Sequence, residues 1–224
     1  MKNIQILQSC PLFNGIADGD LGALLDCLGA KVLNVKKNQV IFSEGDPAVY
    51  LGIVLSGCAQ IEKVDFYGNR SIMAQVAPAD LFGESFACAH SREMPVSVVA
   101  VEDGQVMLID CQRITVGCSN ACGFHSQLIR NLLQIVAIKN LQLGQKMEIT
   151  SKRTTREKLL AFLMGQAKLQ GSASFRIPFD RQGLADYLQV ERSAMAAEIS
   201  KLRREGVLES KKNQFRLLNQ ELEQ

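Results

Sequence analysis

Between Lys31 and Asp110 the apolar residues come in short runs rich in Val, Ile and Phe, interrupted at fairly regular intervals by glycine or by Asp/Asn turns. That spacing predicts an antiparallel barrel or sandwich, a jelly roll by preference. Strands are read at Val40 to Phe42, Gly52 to Leu55, Ala59 to Val64, Ser71 to Val76, Val96 to Val101 and Val106 to Ile109. Gly57 and the segment Asp65-Phe66-Tyr67-Gly68-Asn69 separate them, because glycine and asparagine accept the positive φ of tight hairpins. Upstream, Asp18 to Leu28 reads as a short helix capped by Asp18, with Leu21, Leu24, Leu25 and Leu28 on one face.

The period then changes. From Cys118 to Ile149 no proline intervenes and Phe124, Leu128, Leu132, Ile135, Val136, Leu143 and Met147 recur at helical spacing, which predicts one long helix. At about 1.5 Å per residue it would reach roughly 48 Å, longer than one barrel can cover. Ile129, Leu133, Ile138 and Leu141 widen its apolar surface. One face is therefore assigned to the chain's own barrel and another to the same helix of a second copy, with Phe124, Leu128, Leu132 and Ile135 as the dimer-helix residues. Lys139 and Asn140 interrupt the seam, and a helix used only within its own chain is the alternative.

Thr150 and Ser151 are read as caps of a further helix, Arg153 to Leu169, with Leu159, Leu160, Phe162 and Leu163 on its core face. Gly171 to Ser174 follows as a loop and Phe175 to Phe179 as an edge strand, since Pro178 cannot donate within a central ladder. Asp180 caps a helix over Arg181 to Leu188, Gln189 and Val190 turn the chain, and a second helix runs from Glu191 to Glu205. Leu184, Ala185 and Leu188 face Met195, Ile199 and Leu202 across the crossing. Gly206 stops the second helix, and Val207 to Glu209, a polar turn and Phe215 to Leu217 form a hairpin wing. The fold expected is α+β, with a jelly-roll barrel at 1–117, a dimerisation helix at 118–149 and a winged helix-turn-helix at 150–224.

Charge sharpens this picture. From Ser151 onward there are 14 Lys/Arg against 9 Asp/Glu, and before it 11 against 14, so the positive charge is concentrated in the last third. A basic winged unit points to duplex DNA. Glu191, Arg192 and Ser193 open the second helix and are assigned to base edges, Arg192 first because a guanidinium donates two hydrogen bonds to guanine O6 and N7. Lys201, Arg203, Arg204, Lys211, Lys212 and Arg181 are assigned to phosphates, with Arg156 as a weaker choice. At 47% hydrophobic and 21% charged, with no apolar run of membrane length and little signal character in Met1 to Phe13, the chain is expected to be soluble and cytoplasmic. Seven cysteines without CxxC pairs argue against a disulfide framework and predict reduced, mostly inert thiols. With no GxxxxGK, no HExxH and two histidines, no catalytic or metal residue is assigned and no enzyme is expected.

Leu12-Phe13, Val40-Ile41-Phe42-Ser43-Glu44-Gly45-Asp46, Leu55-Ser56-Gly57, Asp80-Leu81-Phe82-Gly83-Glu84 and Arg192-Ser193 occur in an order that resembles the cyclic-AMP receptor / fumarate-nitrate regulator superfamily over roughly residues 10–218. The resemblance implies a dimeric transcription regulator that meets RNA polymerase. In cyclic-nucleotide-binding members a glutamate after Phe-Gly holds the ribose and an arginine about ten residues later holds the phosphate. Gly83, Glu84 and Ser85 match the first half, but Met94 and Pro95 stand at the arginine and its neighbour, with Arg92 two residues earlier. Ser193 stands where the family often has glutamate, Ala197 where a second arginine is common and Gln189 where the turn is usually glycine. A small organic or aromatic effector near Glu84, Phe86, Met94 and Asn140 is therefore expected, ahead of a redox signal and of cyclic AMP or GMP. No cofactor is assigned. For an iron-sulfur cluster Cys10 and Cys27 are too sparse, although Cys118 and Cys122 lie one helical turn apart, and haem would need His90 or His125, each a lone histidine. The effector would select one arrangement about a hinge near Thr150. A cyclic-nucleotide-responsive regulator, and a ligand-binding module that docks protein instead of DNA, remain as alternatives.

Overall fold

Strand alternation from Lys31 onward folds into two four-stranded sheets in a computed structural model that describes residues 4–115 and 124–218. One contains, in order, β1 (Lys31–Val35), β8 (Gly104–Asp110), β3 (Tyr50–Ser56) and β6 (Leu81–Phe82); the other contains β2 (Val40–Phe42), β7 (Ser97–Ala100), β4 (Ala59–Val64) and β5 (Arg70–Val76). The antiparallel pairing and jelly-roll layering follow the expected class. β1 and β6 were not among the expected strands. β1 is exposed at all but its last residue and so lacks a buried alternation, and β6 is two residues long. Gly57 and Gly68 take φ +78° and +82°, as the turns require.

Successive side chains of a strand point to opposite faces, and β3 uses both. Leu51, Ile53 and Leu55 join a cluster with Leu12, Phe13, Leu21, Leu24 and Leu28, while Val54 joins the barrel interior with Phe42, Phe82, Met94, Val98 and Val106. This is why β3 reads as a continuous apolar run, since both of its faces are covered. Gly52 allows the closest approach, because a Cβ there would lie 2.0 Å from the Phe82 ring.

Short helices flank the barrel: α1 (Ile4–Gln8), a 3₁₀ turn at Pro11–Phe13, α2 (Asp18–Cys27), α3 (Glu84–Cys88) and α4 (Cys111–Thr115). The cap of α2 is Ala17, without a side-chain bond, and the expected cap Asp18 instead lies inside the first turn, where its charge meets the positive helix end. The long helix, α5, spans Phe124–Thr150. Its expected first residues, with Cys118 and Cys122, lie outside the described residues.

α5 corrects the assignment of the dimer residues. Leu128, Leu132 and Ile135 are buried in the chain's own cluster with α2 and β3, and Phe124 packs against that cluster. Side chains committed inward cannot also meet a second copy. The large apolar residues of α5 left exposed are Ile129, Leu133, Ile138, Leu141, Leu143 and Met147.

Packing divides the chain into two units, the first running to Asn140 within α5 and the second holding Leu141 onward with Arg70–Ile72. The second contains α6 (Thr155–Gln170), β9 (Ser174–Arg176), α7 (Arg181–Leu188), α8 (Arg192–Arg204), β10 (Leu208–Lys211) and β11 (Gln214–Leu217). The start of α6 also differs from expectation. Thr154, not Thr150 or Ser151, caps it through a reciprocal box in which the Thr154 hydroxyl accepts from the Glu157 N–H and the Glu157 carboxylate accepts from the Thr154 N–H. β9 pairs only with β11, so it is an edge strand, and Pro178 lies beyond it. Leu159, Phe162 and Leu163 of α6 pack with Phe175, Leu184, Leu188, Met195, Ile199, Leu202, Leu208 and Phe215.

Candidate nucleic-acid interface and effector site

The helix pair is built by local chemistry. The Asp180 carboxylate accepts from the Gly183 N–H at 2.7 Å, which fixes the first turn of α7. Gln189 ends α7 in the left-handed region at φ +54°, and the Val190 N–H returns to the Ala185 carbonyl at 3.1 Å. Ala185 is fully buried, as are Leu184, Leu188, Met195 and Leu202, so the two helices are held by their apolar faces. That leaves the opposite face of α8 exposed. Glu191 is its N-cap without a side-chain bond, and Arg192 and Ser193 open the helix, exposed beside Ala196 and Ala197.

The cations fall into two groups. Lys201, Arg203, Arg204, Lys211 and Lys212 are exposed, the first three in the last turns of α8 and the lysines at the tip of the β10–β11 hairpin. Arg156 and Arg181 are committed within the unit. Arg156 pairs with Glu198 at 3.1 Å and Glu205 at 2.7 Å, tying α6 to α8 and holding the Glu205 carboxyl below the usual range. Arg181 donates to the Ser210 hydroxyl at 3.1 Å and lies over the Phe215 ring at 4.9 Å. Its Nη1 is buried without a hydrogen-bond partner among the described residues, and burial, then the neighbouring Arg203, pulls its pKa down. Two cations that the sequence reading had passed over, Arg176 and Arg216, line an open groove with Arg203 and Lys211. Their outward places on β9 and β11, alternating with buried Phe175 and Phe215, were the signal that marks them.

In the barrel unit, Gly83 takes φ +76° and starts α3, which places Glu84 inside. Glu84 Oε1 lies 2.9 Å from Lys139 Nζ and accepts from the Ser85 hydroxyl at 3.2 Å. Glu84 Oε2 is buried with no hydrogen-bond partner among the described residues. Lys139 also donates to the Leu81 carbonyl. The helical partner of Glu84 is thus Lys139, read from sequence only as an interruption of the seam, while Asn140, expected at the pocket, is exposed. Met94 is buried in the barrel interior, Phe86 packs against it, and Pro95 and Arg92 are exposed. His125 Nε2 lies 3.0 Å from the Arg113 carbonyl oxygen, and His90 is exposed in a positive-φ turn. Cys10 is buried and its thiol is pushed up to about 11, mainly by that burial.

Two family models match in tandem, a cyclic nucleotide-binding domain over residues 32–116 and a Crp-like helix-turn-helix domain over 157–222. The chain belongs to the Crp/Fnr superfamily. It is similar to the transcriptional activator protein FnrA of Stutzerimonas stutzeri, 26% identical over 83% of this chain and 75% of that one. Among solved structures it resembles FixK2 of Bradyrhizobium japonicum, at 24% identity, TM-score 0.66 and coverage of 85% and 93%. It also resembles the c-di-GMP-responsive regulator CLP of Xanthomonas campestris, at 15% identity, TM-score 0.74 and coverage of 91% and 100%. The protein is thus a Crp/Fnr-type transcription regulator with a helix-turn-helix DNA-binding domain and an effector-binding domain. The Crp/Fnr motifs quoted from the sequence, Gly83-Glu84 and Arg192-Ser193, fall at the starts of α3 and α8.

Proposed function

We propose that this Crp/Fnr regulator acts as a homodimer on a near-palindromic operator, with the N-terminal end of α8 from each copy in the major groove. The observation that carries the reading is the exposed start of α8: Arg192 and Ser193 are both exposed in its first turn, followed by Lys201, Arg203 and Arg204 and flanked by Lys211 and Lys212. The first group suits base edges and the second phosphates. Ala196 and Ala197 add methyl groups but no hydrogen-bond donors to that face, so base discrimination rests on Arg192 and Ser193 together with apolar contact. Dimerisation is supported by the row Ile129, Leu133, Leu143 and Met147, left exposed at helical spacing on α5. In the family's manner the dimer would meet RNA polymerase, in the cytoplasm, and act without catalysis.

The barrel is read as the sensor, gated by a small-molecule or redox effector that favours one arrangement about a hinge near Thr150. Gly83, Glu84 and Ser85 keep the ribose half of a nucleotide site, yet Met94 and Pro95 offer a phosphodiester neither a cation nor a backbone N–H. Lys139, the cation beside Glu84, is already engaged by that carboxylate. These features favour an effector other than a cyclic nucleotide. The test is selection of duplexes from a random library by the purified protein. Enrichment of a two-fold-related motif supports the reading; a migration unchanged by any duplex favours a module that docks protein.

A further inference from the structure

Two cysteines that are 23 residues apart in sequence meet in the barrel unit. Cys88 closes α3 and Cys111 opens α4, and their sulfurs lie 3.1 Å apart. Cys111 is buried in the apolar cluster beneath the flanking helices, whereas Cys88 packs against that cluster and keeps part of its surface open to solvent. A disulfide has a bond length of about 2.05 Å, so the sulfurs need close by only about 1 Å. No other contact between cysteine sulfurs occurs among the described residues, and exposed Cys27 provides an internal comparison.

We propose that Cys88 and Cys111 form a reversible dithiol–disulfide site that takes two-electron oxidants of the hydroperoxide class. The Cys88 thiolate attacks one oxygen of the peroxide; an S–O bond forms, the O–O bond breaks, and the departing oxygen takes up a proton as water or alcohol. Cys88 is then a sulfenic acid. The Cys111 sulfur attacks the Cys88 sulfur; an S–S bond forms, the S–O bond breaks, and the hydroxide released leaves as water with the Cys111 proton. Overall two thiols lose two electrons and two protons, and hydrogen peroxide becomes two waters.

The order of attack follows from the pair itself. The contact with Cys111 holds the Cys88 thiol below its ordinary range despite partial burial and the nearby Glu84. Cys111, the more buried partner, is pushed up by the same contact and then by its burial. The thiolate therefore sits on the sulfur an oxidant can reach, and its resolving partner is already in contact. A disulfide here would tie the end of α3 to α4, one turn from Glu84. In a reducing compartment such a bond forms transiently, as a sensing pair does. The site stands on this geometry and not on the DNA reading, so thiol chemistry measured by mass is scored separately from operator binding.

The experiment treats the reduced full chain with one equivalent of hydrogen peroxide, alkylates the remaining thiols and maps peptides without reduction. The expected result is the loss of two alkylatable thiols per chain, a Cys88–Cys111 linked peptide, and recovery of both thiols with dithiothreitol. In the Cys111→Ser variant, shown folded by circular dichroism, a dimedone probe should label Cys88; in Cys88→Ser it should leave Cys111 unlabelled. Preferential oxidation of Cys27, a disulfide joining other cysteines, or direct conversion of wild-type Cys88 to sulfinate would overturn the proposal. The wild-type map decides the matter even if a variant fails to fold.

Discussion

On the proposed reading Arg192 concentrates the specificity of α8, because the positions beside it are short. A guanidinium in the major groove discriminates guanine by two hydrogen bonds. Arg192→Ala should therefore cost about 1–3 kcal/mol on the preferred operator and relax one base position, measured by titrating single-base operator variants. An equal loss on every sequence would make it a phosphate contact. At Glu84 the decisive feature is burial of a carboxylate whose only cationic partner among the described residues is Lys139. Lys139→Met should destabilise the barrel unit by an amount near the low end of the roughly 3–5 kcal/mol lost when a buried pair is broken, since Lys139 is partly exposed. Adding Glu84→Gln should restore much of that stability in denaturant titrations; no loss in the single variant would show that solvent already screens the pair. Individual residues were unevenly legible in the sequence. Arg192 and Asp180 announce themselves because a cap and the residues after a helix turn are local features. Lys139 and the Cys88–Cys111 contact depend on chain segments 55 and 23 residues apart, and no periodicity reports such a meeting.

Elements defined by their own sequence were read nearly to the residue. α7 matched its expected span because Asp180 and Gln189 punctuate both ends, and β2 and β4 matched because glycine turns and alternation agree. β1 and β6 were missed since neither carries a pattern: one is exposed over most of its length and the other too short. For α6 the Thr154-x-x-Glu157 signature competes in the sequence with the hydroxyls of Thr150 and Ser151; Thr150 ends α5 and Ser151 follows it, and both bond back to helical carbonyls. Thr154→Ala should accordingly cost about 1 kcal/mol at neutral pH. The Glu157 carboxyl is held below its ordinary value of 4.5 by the Thr154 N–H and then its hydroxyl. Its contribution is complete above that ordinary value and is lost as pH falls through the lower folded value. Urea titrations should thus find wild type and Glu157→Gln converging in acid, and a gap independent of pH would contradict a role for the Glu157 charge in the capping box.

For the whole molecule, the division of labour is visible in charge and surface. The cations cluster in the last third of the chain, in the unit whose reading helix is exposed, and α5 offers an apolar row that its own barrel leaves uncovered. The sequence assigned the dimer role to the stripe that the chain's own barrel fills, because more than one stripe of α5 repeats at helical spacing and only packing tells which is filled. Leu133→Lys places a charge in that exposed row. It should halve the sedimenting mass while leaving the far-ultraviolet spectrum unchanged, and a dimer that persists would move the seam elsewhere.

The most direct measurement is a guanine N7 methylation-protection footprint on the selected operator, with wild type, Arg192→Ala and Leu133→Lys compared at one salt concentration. Two protected major-groove patches roughly 34 Å apart on one face of the duplex are predicted. One guanine in each should lose protection in Arg192→Ala, and both patches should weaken together in Leu133→Lys. Protection unaffected by Arg192→Ala, or no protection of guanine N7 at any position, would contradict the account.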